Sequence, residues 1–319
     1  MPAARQFRGA FTALITPFTE DGAIDQEAFR RLVRRQIDSC IHGLVPCGTT
    51  GETPTLSHEE DEWVIGTTLE IAGERPSRGR LRVIAGTGSN STQTAINSTR
   101  RAAALGVDAA LVVAPYYNKP DQRMMEAHFR AVADEGDLPI IVYNIPGRTG
   151  VNIEAATLLR LAEHPRIVAV KEASANMDQI QTILRERPAD FSILSGDDNW
   201  TLPLLSMGGD GVISTTSNEI PGEMAEMCDA AFAGDWDQAR RLHERWLPLM
   251  RANFVGGPNP SPVKTAMSLM GLCGDAMRMP LLPLEEPYRG RMRLLLETLG
   301  LLDGNATPTE ATVAATGRA

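Results

Sequence analysis

The chain has 319 residues, 43% of them hydrophobic and 22% charged, which is ordinary globular composition and long enough to bury a large core without disulfides or metals. The net charge of −9 comes from 31 basic and 40 acidic residues, with no Lys/Arg cluster, so the electrostatic footprint of a nucleic-acid binder is missing. Cys40, Cys47, Cys228 and Cys273 form no CxxC pair, which argues against a zinc site or a disulfide framework and fits a reducing, cytoplasmic setting. Met1 to Arg8 contains no apolar stretch of the kind a signal peptide needs, and no run approaches the roughly 18 apolar residues of a membrane span.

Short β-branched runs alternate with longer helical patterns. Residues 11–15 read as a strand and 25–40 as a helix, with Phe29, Leu32, Val33 and Ile37 on one stripe. The second strand is 44–45, and Ser57 and Glu60 are spaced as a capping box that starts the next helix. A strand at 82–85, a helix at 92–105, a strand at 109–113, a helix at 123–134 and a strand at 139–143 come next. The pattern continues with a helix at 154–162, a strand at 167–170, a helix at 178–187, a strand at 191–194, a helix at 200–207 and a strand at 212–214, and 223–232 supplies an eighth helix. Leu111-Val112-Val113 and Ile140-Ile141-Val142 are apolar on both faces, as in a helix-covered parallel sheet. Eight βα units favour a closed (β/α)8 TIM barrel over an open doubly wound sheet.

After Gly234 the strand pattern stops. Residues 235–254, 263–272 and 285–299 read as helices, with Pro/Gly-rich joints at 256–262 and 280–287. The expected division is a catalytic barrel over 1–234, a C-terminal helical extension over 235–302, and a disordered tail over 303–319 that is rich in Ala, Thr, Gly and Pro.

In such a barrel the chemistry sits where strands end at their C-termini. Those ends carry Gly48-Thr49-Thr50-Gly51-Glu52, Gly86-Thr87-Gly88, Pro115-Tyr116-Tyr117, Tyr143-Asn144-Ile145-Pro146-Gly147-Arg148, Lys171-Glu172 and Asp197-Asp198. Lys171 closes the apolar strand Ile167-Val168-Ala169-Val170, so its stem starts inside the barrel. A lysine amine of pKa about 10.4 is about 0.1% neutral or less at pH 7, and burial that lowers the pKa yields a nucleophile for carbonyls. The alternative is a lysine paired with Glu172 or another rim carboxylate, and spacing does not separate the two. Tyr143 is either a proton carrier or an ordinary core tyrosine. The glycine-threonine loop suits a small carboxylate or phosphate, or is a plain loop. Arg148, between two glycines, can take a carboxylate bidentately or lie solvated. Gly86-Thr87-Gly88 breaks the dinucleotide pattern because Ser91 stands at its third glycine, which disfavours a nicotinamide-dependent oxidoreductase. Asp197 and Asp198 read as structural rather than metal ligands, and the five histidines form no metal motif.

The set Gly48-Thr49-Thr50-Gly51-Glu52, Pro115-Tyr116-Tyr117, Tyr143-Asn144-Ile145-Pro146, Lys171-Glu172 and Gly209-Asp210-Gly211-Val212-Ile213-Ser214 resembles the dihydrodipicolinate synthase family of class I aldolases, in order from about Gly9 to Leu302. The resemblance implies that Lys171 forms an imine with pyruvate, that Thr50 holds the pyruvate carboxylate, and that Ile213 meets pyruvate through its backbone carbonyl. It implies further that Tyr143 shuttles protons, that Thr49 links Tyr143 to Tyr117 from a neighbouring subunit, and that Arg148 receives the carboxylate of aspartate 4-semialdehyde. The lysine is the electron sink, so neither a metal nor an organic cofactor is implied, and a homotetramer built as a dimer of dimers is. Rival readings are a related aldolase acting on sugar acids, which would generally lack Arg148, and a non-catalytic pyruvate-binding barrel. Lysine-inhibited relatives bind the amino acid at positions matching Thr53, Pro54, His58, Asp61, Asn90, Thr94 and Tyr116. Thr94 stands where they carry a glutamate and Asp61 where the family has a histidine, so weak lysine feedback is expected.

Overall fold

Eight parallel strands pair in chain order and close, the last with the first, in the computed structural model, which describes residues 5–74 and 81–302. They are β1 (Gly9–Ala13), β2 (Gly43–Val45), β3 (Arg82–Gly86), β4 (Ala109–Val113), β5 (Ile140–Asn144), β6 (Ile167–Glu172), β7 (Ser192–Ser195) and β8 (Gly211–Ser214). The expected TIM barrel is the fold. Helices α1 (Gln26–Asp38), α2 (His58–Gly73), α3 (Thr92–Leu105) and α4 (Gln122–Glu135) cover the first half. Then come α5 (Pro146–Thr149), α6 (Ala155–Ala162), α7 (Met177–Glu186), α8 (Thr201–Ser206) and α9 (Pro221–Ala233). Beyond Gly234 the described chain holds α10 (Trp236–Ala252), α11 (Ser261–Leu269) and α12 (Tyr288–Leu299). The expected tail over 303–319 lies outside the described residues. No helix among them is long and apolar enough to cross a membrane.

Local chemistry explains the boundaries. Asp25, Ser57, Ser91 and Asp121 each cap a helix through a side-chain oxygen, and Ser57 with Glu60 completes the capping box. The short α5 is absent from the sequence reading because four residues give no helical period and Pro146-Gly147 looks like a turn. At the β1–β8 seam Gly211 has φ of 145°, and a Cβ there would stand 1.9 Å from the Gly9 carbonyl oxygen. Only glycine lets these two backbones pair.

Strand alternation sorts the side chains into two cores. Phe11, Val45, Ile84, Leu111, Ile141, Tyr143, Ala169, Leu194 and Ile213 fill the barrel interior. Leu44, Val83, Val112, Val142, Val170, Ile193 and Val212 face outward to the helices. That parity decides what Lys171 and Glu172 can touch, since Lys171 shares the parity of Ala169 and Glu172 that of Val170.

Candidate active site

Lys171 points inward and Glu172 outward. Glu172 accepts hydrogen bonds from Asn144 Nδ2 at 3.2 Å to each oxygen, from the Ser174 N–H at 2.8 Å and from Gln179 Nε2 at 3.4 Å. The Lys171–Glu172 pairing left open by spacing is therefore absent: successive strand residues face opposite sides of the sheet. Lys171 makes no ion pair among the described residues; its Nζ lies 4.3 Å from the centre of the Tyr143 ring, on the register neighbour in β5. Burial lowers its pKa to about 8, against the opposing pull of Asp197 and Asp198. Gly196 makes room for the stem: a Cβ there would come within 3.2 Å of Lys171 Cε and 2.6 Å of Ala173 Cβ.

Above the amine opens a cavity of about 400 Å³ at the strands' C-terminal ends. Its lining brings together Thr49, Thr50, Tyr143, Arg148 and Lys171, with Cys47, Tyr116, Asp197, Thr215, Phe254 and Asn259. Burial, before any charge, drives the Tyr143 phenol pKa upward, so the hydroxyl keeps its proton across the working range. Asp197 is pushed up to about 6, mainly by burial. A wider depression of about 720 Å³ between α7 and α8, around Asp178, Arg185 and Met207, lies on the outer wall and gathers no reactive set.

The threonine loop forms a tight turn over Thr49–Gly51, closed by the N–H groups of Gly51 and Glu52 on the carbonyls of Gly48 and Thr49. It is bracketed by Cys47 and Glu52, both left-handed at φ 57°, a conformation uncommon outside glycine and concentrated at functional sites. Glu52 is pinned by a fully buried ion pair to Lys264 of α11, Nζ to Oε1 2.5 Å. Lys264 also donates to the Ala276 carbonyl at 3.0 Å.

Other expected positions are less simple. Ile213 is buried in the barrel-interior core and is not in the cavity lining, where Thr215 represents the β8 end. No hydrogen bond joins the Thr49 and Tyr143 hydroxyls among the described residues. Tyr117 is 88% exposed with φ 72°, outside the cavity of its own barrel. Arg148 is exposed at the mouth on α5, its Nη2 donating to the Asn259 carbonyl at 3.3 Å.

Asn259 is the residue the sequence reading missed. It sits in the Pro/Gly-rich joint, is buried, and donates through Nδ2 to Thr50 Oγ1 at 3.0 Å. The available signal was Gly256-Gly257-Pro258-Asn259-Pro260, in which an amide stands between two prolines. The four cysteines are free thiols; burial raises the pKa of Cys47, beside the loop, well above the usual value.

Comparison with known proteins points the same way. The family model of the dihydrodipicolinate synthetase family matches residues 6–299. The chain is 48% identical over 303 residues to the 4-hydroxy-tetrahydrodipicolinate synthase of Koribacter versatilis, covering 95% of this chain and 99% of that one. It is 51% identical over 298 residues to that of Nitratidesulfovibrio vulgaris, covering 93% and 100%. Among solved structures, the dihydrodipicolinate synthase of Acinetobacter baumannii complexed with pyruvate superposes with a TM-score of 0.89 at 40% identity, covering 93% of this chain and 100% of that one. The Aquifex aeolicus enzyme gives 0.88 at 44% identity with the same coverage. A near-complete match to the family model and an inward lysine at the end of the sixth strand place this chain in the dihydrodipicolinate synthetase family.

Proposed function

We propose that this chain is a Schiff-base lyase that condenses pyruvate with L-aspartate 4-semialdehyde, the reaction of 4-hydroxy-tetrahydrodipicolinate synthase in lysine and diaminopimelate biosynthesis. The observation that carries it is the buried Lys171 amine, without a carboxylate partner and with its pKa lowered to about 8, at the floor of a cavity whose mouth holds Arg148. The neutral amine adds to the pyruvate carbonyl carbon, water leaves, and an imine forms. Loss of a methyl proton gives the enamine, which attacks the aldehyde. The amino group of the second substrate then adds to the imine carbon and expels Lys171, closing the ring.

Tyr143, protonated and beside Lys171, serves as the proton carrier. Thr50 Oγ1, held by Asn259, takes the pyruvate carboxylate, with the Ile213 carbonyl near the keto acid. Arg148 takes the second carboxylate. Tyr117 serves a neighbouring copy's site, reached through Thr49. Supporting this is an aromatic ring held out at 88% exposure on a strained backbone, a costly placement for a side chain with no use there. A homotetramer built as a dimer of dimers meets that need, and a cytoplasmic setting suits four free thiols. The helices after Gly234 share a core with the barrel and serve the same site, since Phe254 and Asn259 wall the cavity.

Borohydride reduction with pyruvate, then peptide mass spectrometry, tests the mechanism. The chain has three lysines, Lys119, Lys171 and Lys264, so assignment is simple. One reduced pyruvate on Lys171 is expected, lost in Lys171→Ala; labelling at another lysine sinks the reading. Turnover of a keto-deoxy sugar acid in place of aspartate 4-semialdehyde would transfer the imine chemistry to a different substrate.

A further inference from the structure

A second polar cluster lies behind the cavity, where α10 meets the turn after β8. Glu219 is fully buried there, and its Oε2 accepts from Asn253 Nδ2 at 2.6 Å. The same amide donates to Thr216 Oγ1 at 3.2 Å. Each of these two side chains has one oxygen left over: Glu219 Oε1 and Asn253 Oδ1 are both buried and both without a hydrogen-bond partner among the described residues. A carboxylate offers only acceptors, so an ionised Glu219 leaves its Oε1 and the Asn253 Oδ1 orphaned. The nearest cation does not help. Arg35 of α1 commits its guanidinium to backbone carbonyls, Nη1 to Asn218 at 3.0 Å and Nη2 to Glu219 at 2.6 Å. Asp198, buried after β7, disfavours a further negative charge; of the elements packed against the turn, β1 carries no titratable side chain, α9 carries only acidic groups and the Cys228 thiol, and the Lys264 amine of α11 is paired with Glu52.

We propose that Glu219 is held as the neutral acid, and that its pair with Asn253 is the positioning joint that sets the part of the substrate cavity built by residues 253–260. A proton on Oε1 turns one orphan acceptor into a donor for the other, completing an acid–amide ring. The joint matters because the next few residues of the chain build the cavity wall. Phe254, next to Asn253, lines the cavity, and Asn259 bonds both Thr50 and Arg148. Pinned at Asn253 by Glu219 and at Asn259 by Thr50, the segment has both ends fixed to the barrel. Burial pushes the Glu219 pKa well above the usual carboxylate range, against the Asn253 amide donor and the Arg35 charge, which favour the ionised form.

The positional half rests on the reaction proposed above; the protonation half does not. Infrared difference spectra at pH 8 between wild type and Glu219→Gln are expected to show a protonated-carboxyl C=O band present only in the wild type, and its absence overturns the proposal. Glutamine copies the neutral acid, so E219Q is expected to fold and to keep kcat and both KM values within about twofold. A carboxyl raised in the folded state stabilises less as pH rises, so the melting temperature of E219Q should gain on wild type with increasing pH. Asn253→Leu strands the acid and is expected to raise KM for aspartate 4-semialdehyde about tenfold with kcat within about twofold; adding Glu219→Leu should recover melting temperature by removing the orphan but leave KM raised, since the joint is still missing. An E219Q variant as impaired as N253L, or an N253L with unchanged KM, overturns the positioning role. If N253L does not fold, the infrared band and E219Q decide. A wild type that fails borohydride trapping refutes the reaction, and the infrared band still decides the acid.

Discussion

Two lysines are buried in this chain, and their surroundings decide which one reacts. Lys264 is clamped to Glu52, whose charge opposes the downward push of burial on its pKa, whereas Lys171 faces a tyrosine ring and has no ion-pair partner among the described residues. With the Lys171 pKa lowered to about 8, the attacking free amine gains population as pH rises, so kcat/KM for pyruvate is expected to climb through an ionisation near pH 8 and level above it. A flat profile from pH 6 to 9 would contradict it. Tyr143→Phe removes only a hydroxyl, and kcat is expected to fall about 10²- to 10⁴-fold with little change in melting temperature. Arg148 lies exposed at the mouth, so Arg148→Ala forfeits charge-assisted hydrogen bonds of about 1.5–3 kcal/mol. KM for aspartate 4-semialdehyde should rise one to two decades while that for pyruvate holds; equal rises would make Arg148 structural. The place of Lys171 was legible because strand parity needs only local sequence. Asn259 was not, because its partners Thr50 and Arg148 stand 209 and 111 residues away.

At the scale of elements, strands and capped helices matched the sequence pattern to within a few residues, since caps and apolar alternation are local signals. The loops between them were harder. Around α2 and α3, Asp61 is half-buried, with its pKa pushed up to about 6 mainly by burial, and accepts from Thr53 Oγ1 at 3.5 Å. His58 Nδ1 meets Arg101 Nη2 at 3.0 Å, and Thr94 is occupied in the first turn of α3, its N–H on Ser91 Oγ at 3.3 Å. Here Thr94 offers a neutral hydroxyl to an ammonium, and Asp61 is partly neutral near pH 6. Inhibition by lysine is therefore expected to be weak, and half-inhibition well below about 1 mM at saturating pyruvate would refute this.

The whole molecule adds a property no single element shows. Mixing Lys171→Ala with Tyr117→Phe subunits should restore some activity in hybrid oligomers, because one class of site then receives an intact lysine and an intact tyrosine. Verified hybrids that stay inactive would contradict a shared site. That Tyr117 leaves its own cavity was implied by the family resemblance and not by periodicity or spacing, because a strained φ belongs to the folded backbone and not to residue type. The reach of Asn259 back to Thr50 has a further consequence for biosynthesis of the chain itself. The ribosome finishes the lysine-bearing strands well before it makes the segment that walls them in. The cavity around Lys171 is therefore complete only once the chain has been made as far as Asn259. A message truncated between codons 235 and 258 encodes all eight strands and Lys171 but not the Asn259 that reaches Thr50.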